Sequence, residues 1–128
     1  MQSDVARLVG CALIDIKVGM FHVDFVFLSD ALTTTIRINK KFDFAVGKDE
    51  GSFDPTLEVH DPSVESSKFV FLHGMKCQRA ALDRVKFEMA FGHAARLWVE
   101  LGAKDFEPLH LIGASGERHE KLQFHHVL

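Results

Sequence analysis

"QRAALDRVKFEMAFGHAARLWVEL", residues 78–101, is the stretch whose reading decides the fold. Two periods compete in it. Leu82, Val85 and Met89 share one face of a helix, and the composition suits a helix. Val85, Phe87, Met89 and Phe91 also alternate without a break, and Leu97, Val99 and Leu101 alternate again after Gly92. The unbroken period of two and the glycine in the middle favour strands that reverse at "GHA". A helix here would instead give a mixed α+β fold with no internal repeat.

Upstream, Ala12, Ile14, Ile16 and Val18 alternate with Cys11, Leu13, Asp15 and Lys17. "GM" offers a reversal, after which Val23, Phe25 and Phe27 lie opposite His22, Asp24 and Val26. "SDA" reverses the chain again before "LTTTIRIN", which is rich in β-branched residues. Together these form a three-stranded meander. Downstream, "GAKD" and "ASGE" punctuate two further strand candidates, "FEPLHLIG" and "EKLQFHHV".

Two segments that introduce these runs are alike. "DVARLVGCALIDI" starts at Asp4 and "KFVFLHGMKCQRA" at Lys68. A shift of 64 residues places Val5 on Phe69, Leu8 on Leu72, Gly10 on Gly74 and Leu13 on Cys77. Each reads as a short helix closed by a glycine in a left-handed cap, followed by a strand. Asp61 and Pro62 suit the start of the second helix. The expected architecture is α+β, mainly antiparallel β. Two helix–Leu-x-Gly–meander halves, about 3–44 and 62–128, pack as one domain over 1–128, with 45–61 as connector.

Composition bounds the class. At 128 residues with 47% hydrophobic and 26% charged side chains, the chain suits one globular core. Twelve Phe, one Trp and no Tyr imply a core built on rings that need no hydrogen-bond partner. Asp4, Arg7 and Asp15 interrupt any signal-peptide-like apolar run, and no run is long enough to cross a bilayer. A soluble cytoplasmic protein is the expectation, with Cys11 and Cys77 as reduced core thiols.

Charge is unevenly placed. Residues 1–42 carry five Lys/Arg and four Asp/Glu, and residues 66–128 carry nine and seven. Residues 43–65 carry Lys48 alone against Asp43, Asp49, Glu50, Asp54, Glu58, Asp61 and Glu65. The overall net charge of -3 therefore comes from one segment. A nucleic-acid binder needs a basic stripe, which is missing.

The chemical motifs are weak. His22 and Asp24 share a strand face, but no further ligand stands at metal-site spacing, and adjacent His125 and His126 point to opposite faces. "GASGE" lacks the nucleophile elbow. Neither cysteine has charged surroundings that would activate a thiol. The expectation is no catalytic residue, no metal and no cofactor.

The Leu8/Gly10 and Leu72/Gly74 pairs, each followed by strand, hairpin and strand, resemble the plan of small two-repeat β-rich bacterial proteins of unknown function. Some of these are immunity proteins, which guard a cell against a neighbour's toxin. The resemblance implies a non-enzymatic inhibitor. Read beside it, the acidic segment is a docking surface for a basic-cleft toxin such as a nuclease. Asp49, Glu50, Asp54, Glu58 and Asp61 supply charge, and Phe53 supplies an apolar anchor. Two other classes compete. One is a small-ligand-binding or enzymatic domain with a pocket including His22, Asp24 and His110. The other is an oligomerising domain, such as a homodimer, centred on Trp98.

Overall fold

In the computed structural model, the described residues are 2–30, 32–56, 72–92, 94–102, 105, 107–115 and 121–128. They form ten strands: β1 (Ala12–Val18), β2 (Val23–Ser29), β3 (Leu32–Ile38), β4 (Phe42–Val46), β5 (Asp49–Phe53), β6 (Arg79–Leu82), β7 (Lys86–Phe91), β8 (Ala95–Glu100), β9 (Leu109–Ser115) and β10 (Lys121–Val127). Two five-stranded antiparallel sheets result, ordered β1-β2-β3-β9-β10 and β5-β4-β8-β7-β6.

The α+β expectation is overturned, because the fold is nearly all antiparallel β. The first expected helix is one turn, Gln2–Val5, running into a 3₁₀ turn at Ala6–Leu8. The extended Val9 and Gly10, with φ of 88°, end the helical path directly after the 3₁₀ turn. Val5 and Leu8 instead point into the core as a plug. The second expected helix, with Asp61 and Pro62, lies outside the described residues apart from Leu72 in a 3₁₀ turn. The contested stretch 78–101 is β6, β7 and β8. Phe87, Met89, Phe91, Leu97 and Val99 are fully buried, while Val85, which the alternation also put inside, lies in a turn and is 66% exposed.

The two sheets are related by an approximate two-fold axis that follows the 64-residue shift. The Gly10 N–H donates to the Cys77 carbonyl, and the Gly74 N–H donates to the Leu13 carbonyl. The Leu13 N–H donates to Met75 and the Cys77 N–H to Cys11, both at 2.9 Å. Ala12 and Lys76, equivalent under the same shift, bridge each other. Phe27 and Phe91, also equivalent under that shift, meet through stacked rings with centroids 6.2 Å apart. Contacts between equivalent residues mark the axis itself.

Each half lends a hairpin to the other. β4 and β5 leave the first meander and β4 pairs with β8, while β9 and β10 leave the second and β9 pairs with β3. The exchange closes one core from both halves. Phe25 meets Phe42 edge-on at 5.7 Å, and Phe42 touches Phe53 at 5.8 Å. Burying this many rings is the main favourable term, at roughly 25 cal/mol per Å² of apolar surface. Among the described residues, no helix is long and apolar enough to cross a membrane.

Candidate docking surface

The acidic segment expected to be a connector is, through Phe53, the hairpin β4–β5. Phe42, Phe44 and Phe53 point inward and fix it to the core. Gly47, with φ of 59°, takes the first central position of the two-residue reversal between Val46 and Asp49. Its N–H donates to the Ala94 carbonyl at 2.7 Å and ties the turn to the β7–β8 loop.

The outer ladder position of β5 leaves its far side unpaired with any described strand. Asp49 and Glu50 open this strand and are exposed. Neither forms an ion pair with a described residue. Asp54 stands at the other end, half-buried, where its Oδ1 accepts the Thr56 N–H at 2.9 Å and the Thr56 hydroxyl at 2.5 Å. That bond shapes a turn and leaves Asp54 less able to reach a partner. Phe53 is 3% exposed and packed on Phe42, so it cannot be an exposed anchor. Strand alternation explains this: Phe53 shares the inward face with Gly51, which lies against the Phe44 ring. Glu58 and Asp61, with Leu57, Val59 and Glu65, lie outside the described residues.

Next to the hairpin, Ala45, Gly47, Glu50, Ala94, Ala95 and Arg96 line a shallow open depression of about 320 Å³. Trp98 lies on the same outer face, directly opposite Asp43 on one side and Glu88 on the other. The Arg96 guanidinium sits 4.5 Å from its ring centre. Glu88 is held below the usual carboxylate range, first by its hydrogen bond to Lys86 and then by charges that include Arg79 and Arg96. Trp98 is thus ringed by charge and does not centre a self-complementary apolar patch.

Of the expected pocket residues, Asp24 and His110 share one row across the outer face of the first sheet, with Arg37 between them. Arg37 grips Asp24 with two hydrogen bonds, Nε to Oδ1 at 2.8 Å and Nη2 to Oδ2 at 3.0 Å. His22 is in the β1–β2 turn, its ring against Gly19, and does not join them. His110 instead meets His125, a contact no sequence spacing reveals because it depends on the pairing of β9 with β10. Among the described residues, no three of His, Cys, Asp or Glu converge as a metal site.

Both cysteines are free and buried. Burial pushes the Cys77 thiol up to about 11, so it is protonated at neutral pH and a poor nucleophile. No protein-family model, no curated protein and no solved structure matches this chain.

Proposed function

We propose that this is a non-catalytic protein-binding protein that docks through the β4–β5 edge, most concretely as an immunity-type inhibitor of a toxin with a basic cleft. One observation carries the reading: Asp49 and Glu50 are exposed and unpaired among the described residues, consecutive at the start of an outermost strand, one on each of its faces. Charges free of local partners project their field outward and speed encounter with a cationic surface. The outer side of β5 over 49–52, which pairs with no described strand, adds backbone donors and acceptors that a partner strand or loop can use. A nucleic-acid-cleaving toxin binds phosphates in a basic cleft, and carboxylates can occupy that cleft in their place.

The test uses the wild-type chain and the D49K/E50K double variant as bait in extracts of the native host. Both changes are at exposed positions, so circular dichroism should be unaltered. Wild type is expected to retain a basic, nucleic-acid-cleaving protein and suppress its activity. The variant should bind it at least about tenfold more weakly, or about 1.4 kcal/mol. Equal capture and inhibition by both proteins, or by neither, overturns the proposal.

A further inference from the structure

β10 is the most exposed strand of the fold, with only Phe124 half-buried along its length. Among the described residues, five contacts hold it besides the ladder with β9. Phe124 lies over Gly113, and the Arg7 guanidinium sits 4.1 Å from that ring's centre. The Leu128 N–H donates to the Leu109 carbonyl, and Gln123 donates to the Ser115 hydroxyl. On the outer face, His125 Nε2 and His110 Nδ1 are 2.9 Å apart, with ring centroids at 5.1 Å.

That last contact depends on protonation. A hydrogen bond between two imidazoles needs one N–H and one lone pair, so at least one ring must be neutral. When both rings are charged, N–H faces N–H across the same gap. The surroundings oppose that state. Arg37 on β3 stands directly opposite His110, and its partner Asp24 on β2 is already engaged. Lys17 on β1 ends the row beyond Asp24. Glu107 offers the nearest free carboxylate, 3.8 Å from the other nitrogen of His110. It favours the charged form of His110 from that side but does not stand between the two facing nitrogens.

We propose that the His110–His125 contact is a pH-operated latch, which holds β10 on β9 at neutral pH and releases it on acidification. Release bares the outer edge of β9, whose backbone groups then become a template for an added strand. The direction is consistent with the environment of His110. Burial, then the charge of His125, lowers its pKa from the ordinary 6.5, with Glu107 pulling the other way. A histidine lowered on folding stabilises the folded arrangement above its unfolded pKa. That contribution is lost as pH falls through the lowered value, so the latch is closed at pH 7 and opens in acid below 6.5.

Amide hydrogen exchange of the full chain, corrected for the intrinsic pH dependence of exchange, tests this at about pH 7.5 and about pH 5. Protection of β10 and of its partners in β9 should fall at least about tenfold in acid while β2 stays protected. In His125→Gln, which is neutral throughout, protection of β10 should no longer respond to pH. His22→Gln, a change outside the pair, should respond like wild type. Three results overturn the latch: pH-independent protection of β10 in wild type, an undiminished response in His125→Gln, or equal loss of protection in β2 and β10.

Discussion

Gly10 and Gly74 do the same work on opposite sides of the pseudo-two-fold axis. Both have φ of 88°, and each donates its N–H to the segment that follows the other glycine, to Cys77 at 2.7 Å and to Leu13 at 2.6 Å. A Cβ at either position would meet no atom within 4 Å, so space does not require glycine there. Backbone conformation does. Gly10→Ala and Gly74→Ala should each lower stability by about 1–2 kcal/mol in urea unfolding, the usual cost of an L-residue in the left-handed region. The symmetry predicts similar losses for the two variants.

Gly51 and Gly113 are required for the opposite reason. Each faces a phenylalanine across a strand pair, Phe44 and Phe124 respectively. An added Cβ would come within 2.7 Å of Phe44 and 2.1 Å of Phe124. The closer clash should be the cheaper one. Phe124 sits on the exposed edge strand and can swing outward, whereas Phe44 is locked in the core. Gly51→Ala is expected to cost about 1–3 kcal/mol by overpacking. Gly113→Ala should cost less and should loosen β10, seen as faster amide exchange there.

Asp24 is buried on an outer face, with Arg37 as its clamp. Arg37→Ala leaves a carboxylate in a desolvated position without its paired donors. Because Arg37 is 36% exposed, the loss should be about 1–2 kcal/mol, less than for a fully buried pair. The double variant with Asp24→Asn should recover part of it, as a thermodynamic cycle would report.

Cys77 supplies a pH prediction. Its folded pKa, about 11, lies above the ordinary 9.0 because burial favours the neutral thiol. A raised acid gives its full stabilisation below the unfolded pKa and loses it as pH climbs towards the folded one. Stability should therefore fall between pH 9 and 11, and Cys77→Ser should flatten that part of the curve. At neutral pH a thiol reagent should label Cys77 only upon unfolding.

Much of the architecture was legible locally. Alternation in Phe87, Met89 and Phe91 marked a strand because an inward face must be apolar and an outward one need not be. Leu8/Gly10 and Leu72/Gly74 marked the repeat because the left-handed turn demands glycine. The helix read before Gly10 is a single turn running into a 3₁₀ turn, since a cap signature is equally satisfied by a 3₁₀ turn; the one read before Gly74 falls outside the described residues apart from Leu72. The acidic site was only partly legible. Asp49 and Glu50 are exposed at an edge, but Phe53, taken as an anchor, belongs to the core by strand parity.

By itself, then, the sequence determined the strands of the first meander and most of the later ones, the repeated glycine turns and the place where negative charge gathers, but not β4 and β5, which it read as connector. These depend on neighbours a few residues apart. Only tertiary structure decided that β4–β5 and β9–β10 cross to the opposite half, that Phe53 turns inward, and that His110 meets His125. Those relations join residues far apart in the chain, and they are selected by how one shared core closes, not by any local preference.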